Sequence, residues 1–545
     1  MNSPARDCLY LCAFTALLFL FALGTRDFWA PVEPRYGEIV RVMFLKGEWI
    51  VPTINGDLYT DKPILYFWLA LLGAKIYGAV NEWTVRLPAA LGGGGFVFAT
   101  YLLGRDFFNA RTGFIAAAIL ATTMRVVWEA RWAHVDMVFC AFFVFAVYFG
   151  ARSLFHKGQP HEILFAYLFI GLATLTKGLI GIVLPGLLFL AVMLVRREWR
   201  MIAQLKLHLG LPLFFLIAAP WFYLVARATG GKWLADFIYI HHIQRYTAGA
   251  GHRQPFYYYL TTLPADFLPW TIFLIPALFA FRPYRRRWAD PTVQFFVLWF
   301  FSVFLFFTFS DTKRDLYLLP LMPTLALFVG KYFDDLANQK LALSAIHQWL
   351  TIAFFGLVGV AGFAVPLAAW FVRRDAIAAV LPASLVLLLG GSGVVLFLWG
   401  RRPLQAAGSI AAMMALTVFC AAIWLMPYLE NFKSPRLFSR QVNQIVPATV
   451  PVYVYADTMN DFNFYTAREV MPILSTPLAL DVLFARAERG YLLIKERDLR
   501  RLPKLPRERI ITSEARSSAT WHLVEIRAPA KVPRINPGSE RKALP

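Results

Sequence analysis

The sequence predicts a polytopic α-helical membrane protein with a small α/β domain at its C-terminus. Of its 545 residues, 59% are hydrophobic and only 16% are charged. This composition lies outside the range of soluble globular domains. Apolar runs that cross a bilayer must be helices, because lipid offers the backbone no hydrogen-bond partners. Short apolar runs that alternate with polar stretches begin only after Pro427, and they predict the separate domain.

The apolar runs predict about 13 transmembrane helices within residues 1–428. The candidate spans cover residues 8–25, 84–104, 112–126, 135–151, 162–176, 178–195, 208–226, 259–281, 291–309, 316–333, 348–371, 377–399 and 404–426. The segment 64–80 is apolar but short for a span, so we interpret it as an interfacial helix. The first run lacks a small-residue cleavage site and is expected to remain as a span.

Basic loops set the predicted orientation. The clusters at residues 196–200, 282–287 and 401–402 fall on one side when the spans are threaded in order, and the positive-inside rule makes that side cytoplasmic. The loops 26–83 and 227–258 and an α/β domain at 429–530 are then expected on the opposite face. The tail 531–545, which is rich in Pro, Lys and Arg, is predicted to be disordered.

Positive charge is not confined to the cytoplasmic loops, although these account for part of the formal net charge of +21. The far face carries further cations, which are Arg125, Arg131, Lys177, Lys232, Arg245, Arg253, Lys313 and Arg314. Such a surface suits anionic lipid headgroups or phosphates, and a solvated rim is the alternative. We expect membrane lipids, and no nucleic acid, as partners.

The first polar loop concentrates groups that suit a charged ligand or proton transfer. Glu33 is either a general base or the ion-pair partner of Arg35, and Arg35 is either a phosphate ligand or that partner. Lys62, which precedes Pro63 and an apolar helix, suits a phosphate or a snorkelling anchor. Asp136 opens a strongly apolar span, where a carboxylate is costly unless it is paired or hydrated; the alternative is a favourable helix N-terminal charge.

The positions of the cysteines and histidines give little support for disulfide bonds or a metal site. The four cysteines all fall in predicted spans, so no disulfide is expected; they are Cys8, Cys12, Cys140 and Cys420. The only histidine cluster comprises His241, His242 and His252. No cofactor and no defined metal site is assigned, and a divalent metal ion remains open.

An ordered set of short motifs resembles the bacterial aminoarabinose transferases that modify lipid A. The motifs are Trp29-x-Pro31-x-Glu33-x-Arg35-Tyr36-x-Glu38, Gly47-Glu48-Trp49-Ile50-Val51-Pro52, Asp61-Lys62-Pro63, Thr176-Lys177-Gly178, His242-Ile243-Gln244-Arg245, Pro255-Phe256-Tyr257-Tyr258 and Lys313-x-x-x-Tyr317-x-Leu319-Pro320. Each motif alone is weak, but their order runs through almost the whole membrane portion. The family belongs to the protein O-mannosyltransferase-like C-type glycosyltransferases.

The resemblance implies a C-type glycosyltransferase fold in the bacterial inner membrane, with the active site and the C-terminal domain in the periplasm. The implied reaction transfers 4-amino-4-deoxy-L-arabinose, or a related sugar, from undecaprenyl phosphate to a phosphate of lipid A or another envelope glycolipid. One alternative keeps the donor but has a protein or polysaccharide hydroxyl as acceptor. A second alternative is a transporter of polyprenyl lipids.

The resemblance also implies roles for individual residues. Lys62 would hold the carrier phosphate, and Glu33 and Asp136 would be the catalytic carboxylates. The other donor-binding residues would be Arg35, Tyr36, Tyr59, Arg245, Lys313 and Tyr317.

Val32 is a departure from the family pattern, which has an acid at this place. A phosphate acceptor is already ionised at neutral pH, whereas a hydroxyl generally needs a general base that contributes about 100- to 10,000-fold. The substitution therefore favours a phosphate acceptor, unless Glu33 or Asp136 takes over the role of the missing acid.

Overall fold

The computed structural model describes residues 4–155, 158–244, 253–280, 290–457, 460–486, 489–502, 509–516 and 519–527. It divides into two compact units. We call the first the membrane unit, which comprises residues 1–26, 39–53 and 58–429, and the second the C-terminal unit, which comprises residues 27–38, 54–57 and 430–545. The predicted tail 531–545 lies outside the described residues.

The described part of the chain before residue 430 is almost entirely helical. The α-helices there span Pro4–Leu20, Val32–Lys46, Leu65–Tyr77, Glu82–Phe107, Ala110–Ala121, Met124–Ala130, Val135–Leu154, Glu162–Lys177, Ile180–Arg196, Met201–Gln204, Leu207–Ala228, Lys232–Ile238, Tyr258–Asp266, Leu274–Ala280, Pro291–Thr308, Met322–Ala337, Ala345–Val372, Ile377–Trp399, Pro403–Cys420 and Met426–Lys433. Shorter π and 3-10 segments occupy Tyr239–Gln244, Trp270–Phe273, Asp315–Leu321, Arg374–Ala376 and Ala421–Leu425.

The predicted helical membrane domain is confirmed. Among the described residues, eight helices are long and apolar enough to cross a membrane, or up to ten if each of two bent pairs is one span. Each predicted span coincides with a helix or a bent pair of helices. The count of about 13 crossings remains a prediction. The segment 64–80 forms the short apolar helix Leu65–Tyr77.

Two predicted spans are broken rather than straight. The helices Ala110–Ala121 and Met124–Ala130 meet at 67°, and Tyr258–Asp266 and Trp270–Ala280 meet at 107°. At the first break the Thr122 hydroxyl donates to the Ala118 carbonyl at 2.7 Å, a side-chain bond of the kind that bends helices. At the second break Pro269 has no N–H to continue the helical ladder. The apolar periodicity predicts that each segment is helical, but it does not predict the bend between its two helices.

The predicted loop 26–83 is largely regular structure. A helix covers Val32–Lys46, because apolar residues recur at helical spacing and Ile39, Val40 and Met43 are buried. A two-residue turn joins β1 (Thr53–Ile54) to β2 (Asp57–Leu58). Its Asn55 and Gly56 have φ values of 56° and 85°, as the Asn-Gly hairpin turn requires.

An arginine clamp joins three helices of the membrane unit. Arg152 donates from Nη1 to Asp106 Oδ2 at 2.5 Å and from Nε to Glu162 Oε2 at 2.7 Å. Its Nη1 also lies 2.9 Å from the Tyr148 hydroxyl. The helices Glu82–Phe107, Val135–Leu154 and Glu162–Lys177 are thereby held at one end by charge-assisted bonds.

The C-terminal unit contains the predicted α/β domain. Its strands are β3 (Val452–Tyr455), β4 (Ile473–Leu474), β5 (Arg489–Lys495), β6 (Ile510–Arg516) and β7 (Ala519–Arg527). They form a sheet in the order β4-β3-β5-β7-β6, with β3 parallel to β4 and β5 and the other pairs antiparallel. The helices of this part are Arg436–Ile445, Asn463–Thr466, Pro477–Arg486 and Glu496–Leu499. The core on one side of the sheet includes Phe438, Leu493 and Trp521.

Two pieces of the N-terminal loop fold as part of the C-terminal unit. The backbone N–H of Phe28 donates to the Tyr465 hydroxyl at 2.7 Å, and the Phe28 ring packs edge-on against Phe464. The side-chain amide of Asn55 donates to the Met471 carbonyl at 3.0 Å and its oxygen accepts from the Met471 N–H at 2.7 Å. The predicted boundaries at 428 and 530 remain a prediction, but the unit is not one continuous segment.

Glycine permits a close helix crossing in the membrane unit. A Cβ on Gly113 would lie 2.6 Å from the Tyr101 carbonyl oxygen and 2.7 Å from the Arg105 nitrogen. Small residues of this kind let helices approach closely in membranes. Gly408, on another long helix, has open space where a Cβ would be.

We predict that Gly113→Ala destabilises the protein, whereas Gly408→Ala does not. The backbone at Gly113 must shift, at a cost of about 1–3 kcal/mol, while Ala at Gly408 is neutral or mildly favourable to the helix. Thermal unfolding of the detergent-purified variants measures both. Equal melting temperatures for the two variants would contradict the close crossing.

Candidate functional site

The membrane unit contains a cavity of about 420 Å³ with one polar and one apolar part. The polar lining residues are Asp61, Lys62, Lys177, His241, Ser310, Thr312 and Tyr317. The apolar lining residues are Leu179, Ile180, Val183, Ile243, Phe306 and Phe307. They come from five parts of the chain: the segment before helix Leu65–Tyr77, the junction after helix Glu162–Lys177, the π segment Tyr239–Gln244, the end of helix Pro291–Thr308, and the segment 310–317.

Lys62 enters the cavity paired with its neighbour in sequence. Its Nζ lies 3.2 Å from Asp61 Oδ1, which also lies 3.3 Å from His241 Nδ1. The Tyr59 hydroxyl donates to Asp61 Oδ2 at 3.4 Å. Asp61 therefore gathers a lysine, a histidine and a phenol. Lys62 Nζ also donates to the Asp61 backbone carbonyl at 3.2 Å.

Lys177 supplies the second cation of the cavity and is held by Asp136. Its Nζ contacts Asp136 Oδ1, and Asp136 Oδ2 contacts His134 Nδ1. The same Nζ lies 5.1 Å from the ring centroid of Tyr317, within cation–π range. Asp136 is 1% exposed. Of the two conditions that the sequence allows for a carboxylate here, pairing or hydration, the structure shows pairing.

Lys313 does not line this cavity, although its motif predicted a donor-binding role. It is buried, and its Nζ donates to the Ser310 carbonyl at 2.5 Å and reaches the Gln254 carbonyl at 3.4 Å. These carbonyls satisfy the ammonium and fix the segment that places Ser310 and Thr312 in the cavity. The predicted donor-binding role of Lys313 remains a prediction.

Glu33, Arg35 and Tyr36 lie in the C-terminal unit, at the start of helix Val32–Lys46. Glu33 is fully buried and its Oε2 accepts from the Trp29 backbone N–H at 3.1 Å. Tyr36 is also buried, and Arg35 is half-buried. Their predicted catalytic and donor-binding roles remain a prediction.

Part of the predicted site falls outside the described residues. Arg245 and His252 lie there, and so does the side chain of His242. Within the described ranges no group of three or more His, Cys, Asp and Glu residues could hold a metal ion. His241 contacts Asp61 instead, and Thr60 Oγ1 lies 3.1 Å from its Nε2. All four cysteines are free.

Sequence reasoning missed His241, Ser310 and Thr312 as cavity residues. His241 was singled out only as a metal candidate, and the two hydroxyl residues carry no motif of their own. Their proximity to the Lys313 motif was the one available signal.

The family model described as dolichyl-phosphate-mannose-protein mannosyltransferase matches residues 61–224. This range includes Lys62, Asp136 and Lys177. The undecaprenyl phosphate-alpha-4-amino-4-deoxy-L-arabinose arabinosyl transferase of Shewanella sediminis is 29% identical over 483 residues, which are 84% of this chain and 83% of that protein. The corresponding transferase of Pectobacterium atrosepticum is 32% identical over 366 residues, 64% of this chain and 62% of that protein.

The fold is also that of a solved structure. ArnT from Cupriavidus metallidurans bound to undecaprenyl phosphate superposes with a TM-score of 0.76 at 22% identity, covering 97% of this chain and all of that one. The predicted fold class is confirmed. Together, the apolar helices and the similarity to these transferases identify the chain as an integral inner-membrane protein. The resemblance indicated by the ordered motifs is therefore confirmed: the chain is similar in sequence, and over almost its whole length in fold, to the bacterial aminoarabinose transferases.

Proposed function

We propose that the protein transfers a sugar, 4-amino-4-deoxy-L-arabinose or a related one, from undecaprenyl phosphate to a phosphate of lipid A. The observation that carries the proposal is the cavity that joins Lys62 and Lys177 to an apolar wall. A polyprenyl-phosphate sugar has the same division, with an anionic phosphate between a polar sugar and a long hydrocarbon chain.

The two lysines suit the charge that develops during transfer. In the donor the phosphate is a diester with one negative charge, and it leaves with a second charge as its bond to the anomeric carbon breaks. Fixed cations stabilise such a leaving group most when they are held in place before the reaction. Asp61 holds Lys62, and Asp136 holds Lys177. The carboxylates thus orient the two ammonium groups that line the cavity.

The apolar wall suits the isoprenoid chain. Leu179, Ile180 and Val183 form one side and Phe306 and Phe307 another. Leu179 is 43% exposed and Val183 is 36% exposed, so both side chains are accessible to an isoprenoid chain. The side formed by Leu179, Ile180 and Val183 follows Lys177 directly in sequence, so apolar and cationic groups lie side by side in the lining.

The proposed chemistry is a direct displacement that inverts the anomeric carbon. An ionised phosphate oxygen of the acceptor attacks, and the polyprenyl phosphate departs toward the lysines. Asp136 is the catalytic candidate associated with this cavity, and its role is to hold Lys177 rather than to accept a proton. Glu33 remains a catalytic candidate from the motif, with Arg35, Tyr36 and Arg245 as donor-binding candidates. The proposal places the reaction at the periplasmic face of the inner membrane.

A hydroxyl acceptor on a protein or polysaccharide is the second candidate function. The match to the mannosyltransferase family model supports it. Against it stands Val32, because a hydroxyl generally needs the base that this position lacks. Transport of a polyprenyl lipid is a third hypothesis. A detergent micelle does not separate two compartments, so sugar transfer by the purified protein in detergent would demonstrate catalysis rather than transport.

We predict that Lys62→Ala lowers sugar transfer by about 100-fold, the usual effect of removing one group that stabilises a developing oxyanion. The matched control is Lys75→Ala, which removes an exposed lysine from the next helix. Mass spectrometry of extracted lipid A measures the adduct in cells that express each variant at equal levels. Full modification with Lys62→Ala would reject the phosphate-binding assignment.

Restoring the family acid tests the acceptor. We predict that Val32→Asp changes transfer to lipid A by less than about threefold, because an ionised phosphate gains little from a general base. Val32→Asn controls for polarity without charge. A rise of about 100-fold with Asp but not with Asn would instead favour an acceptor that must lose a proton.

A further inference from the structure

Arg125 lies outside the cavity, in a cluster with three carboxylates. Its Nε and Nη2 donate to Asp266 Oδ1 at 2.9 and 2.7 Å, and its Nη2 also contacts Asp315 Oδ2. Its Nη1 lies 3.3 Å from Glu129 Oε1. Asp266 and Glu129 are about 5% exposed and the Arg125 side chain is 18% exposed. From the sequence Arg125 was a candidate for a lipid headgroup or phosphate, or for a solvated rim; in the structure all three of its nitrogens contact carboxylates.

The cluster connects three elements of the membrane unit. Glu129 is on the same short helix as Arg125, Asp266 ends the helix Tyr258–Asp266, and Asp315 begins the 3-10 segment Asp315–Leu321. A backbone bond from the Met124 N–H to the Leu268 carbonyl at 2.9 Å joins the first two elements again. Removing the arginine would leave two buried carboxylates, Asp266 and Glu129, next to Asp315, whose side chain is 37% exposed; the two buried charges make this strongly unfavourable.

The segment held by Arg125 lines the cavity. Asp315 is two residues from Tyr317 and three from Thr312, and both of these residues line the cavity. Tyr317 is the ring beneath the Lys177 ammonium, and it also packs against Phe307 at 5.1 Å between ring centroids. A shift of the segment at Asp315 would therefore displace the aromatic contact of the lysine and part of the apolar wall.

We propose that Arg125 is a positioning residue for the donor site, which fixes the 310–317 segment through Asp315 and Asp266 without touching the substrate. The inference rests on the proposed function, because it assigns the polyprenyl donor to the cavity. The role requires the guanidinium shape as well as its charge. Four N–H groups from three nitrogens reach three carboxylates, and the compact ammonium of lysine cannot span them.

The test compares two arginine clamps with the same substitution. Arg125→Lys is expected to raise the KM for the polyprenyl-phosphate donor about tenfold, equivalent to about 1.4 kcal/mol, while the KM for the acceptor stays unchanged. Arg152→Lys disturbs the clamp on Asp106 and Glu162, away from the cavity lining, and is expected to leave both KM values unchanged. Equal donor KM values for the two variants would overturn the inference. So would equal changes in the KM for the donor and the KM for the acceptor in Arg125→Lys.

A second variant separates positioning from general loss of folding. Asp315→Asn keeps an acceptor oxygen for Arg125, so its donor KM should rise less than that of Asp315→Ala. Hydrogen exchange of residues 310–321 should rise in Arg125→Lys and remain at the wild-type level in Arg152→Lys. Unchanged exchange in Arg125→Lys would overturn the inference.

Hydrogen exchange and donor binding do not depend on turnover. They therefore distinguish failure of the positioning role from failure of the proposed transfer reaction. If the wild type transfers no sugar, titration of undecaprenyl phosphate into protein in nanodiscs replaces the donor KM. Weaker binding in Arg125→Lys than in Arg152→Lys would then support the positioning role although the transfer reaction is rejected. Equal binding in the two variants would overturn the positioning role.

Discussion

The cavity that we propose binds the donor depends on the ion pair between Asp136 and Lys177. A single charge among apolar helices is costly, and removing either partner leaves the other uncompensated. The pair also suits the helices that carry it. Asp136 is in the first turn of Val135–Leu154 and Lys177 is in the last turn of Glu162–Lys177, so each charge opposes the partial charge of its own helix end. The resulting contact directs a fixed ammonium into the cavity.

The same principle recurs around the cavity, where carboxylates orient cations. Asp61 holds Lys62 in the lining, and Asp266 and Asp315 hold Arg125 behind it. The two lysines of the lining can serve a phosphate, whereas the arginine stabilises a segment. This division explains how a membrane protein can present cations to an anionic lipid without leaving them unpaired when the lipid is absent.

The sequence predicted the helices, the α/β domain and the family, because apolar runs and ordered motifs carry that information directly. It also singled out Lys62 and Tyr317 as donor-binding candidates, and both line the cavity. It could not show all the contacts of Lys313 and Arg125, because the Gln254 carbonyl, Asp266 and Asp315 are far from them in the chain. His241 was likewise visible as a residue but not as a neighbour of Asp61. The breaks at Thr122 and Pro269 leave the hydrophobic pattern nearly unchanged.

The central claim, that the protein transfers a sugar to lipid A, is tested most directly by mass spectrometry of lipid A from isogenic cells with and without the gene. The proposed function predicts a phosphate-linked sugar adduct that is present only with the gene. It also predicts that undecaprenyl phosphate sugar accumulates when the gene is absent. Identical lipid A in the two strains, with a change in glycosylated protein or polysaccharide instead, would contradict the claim.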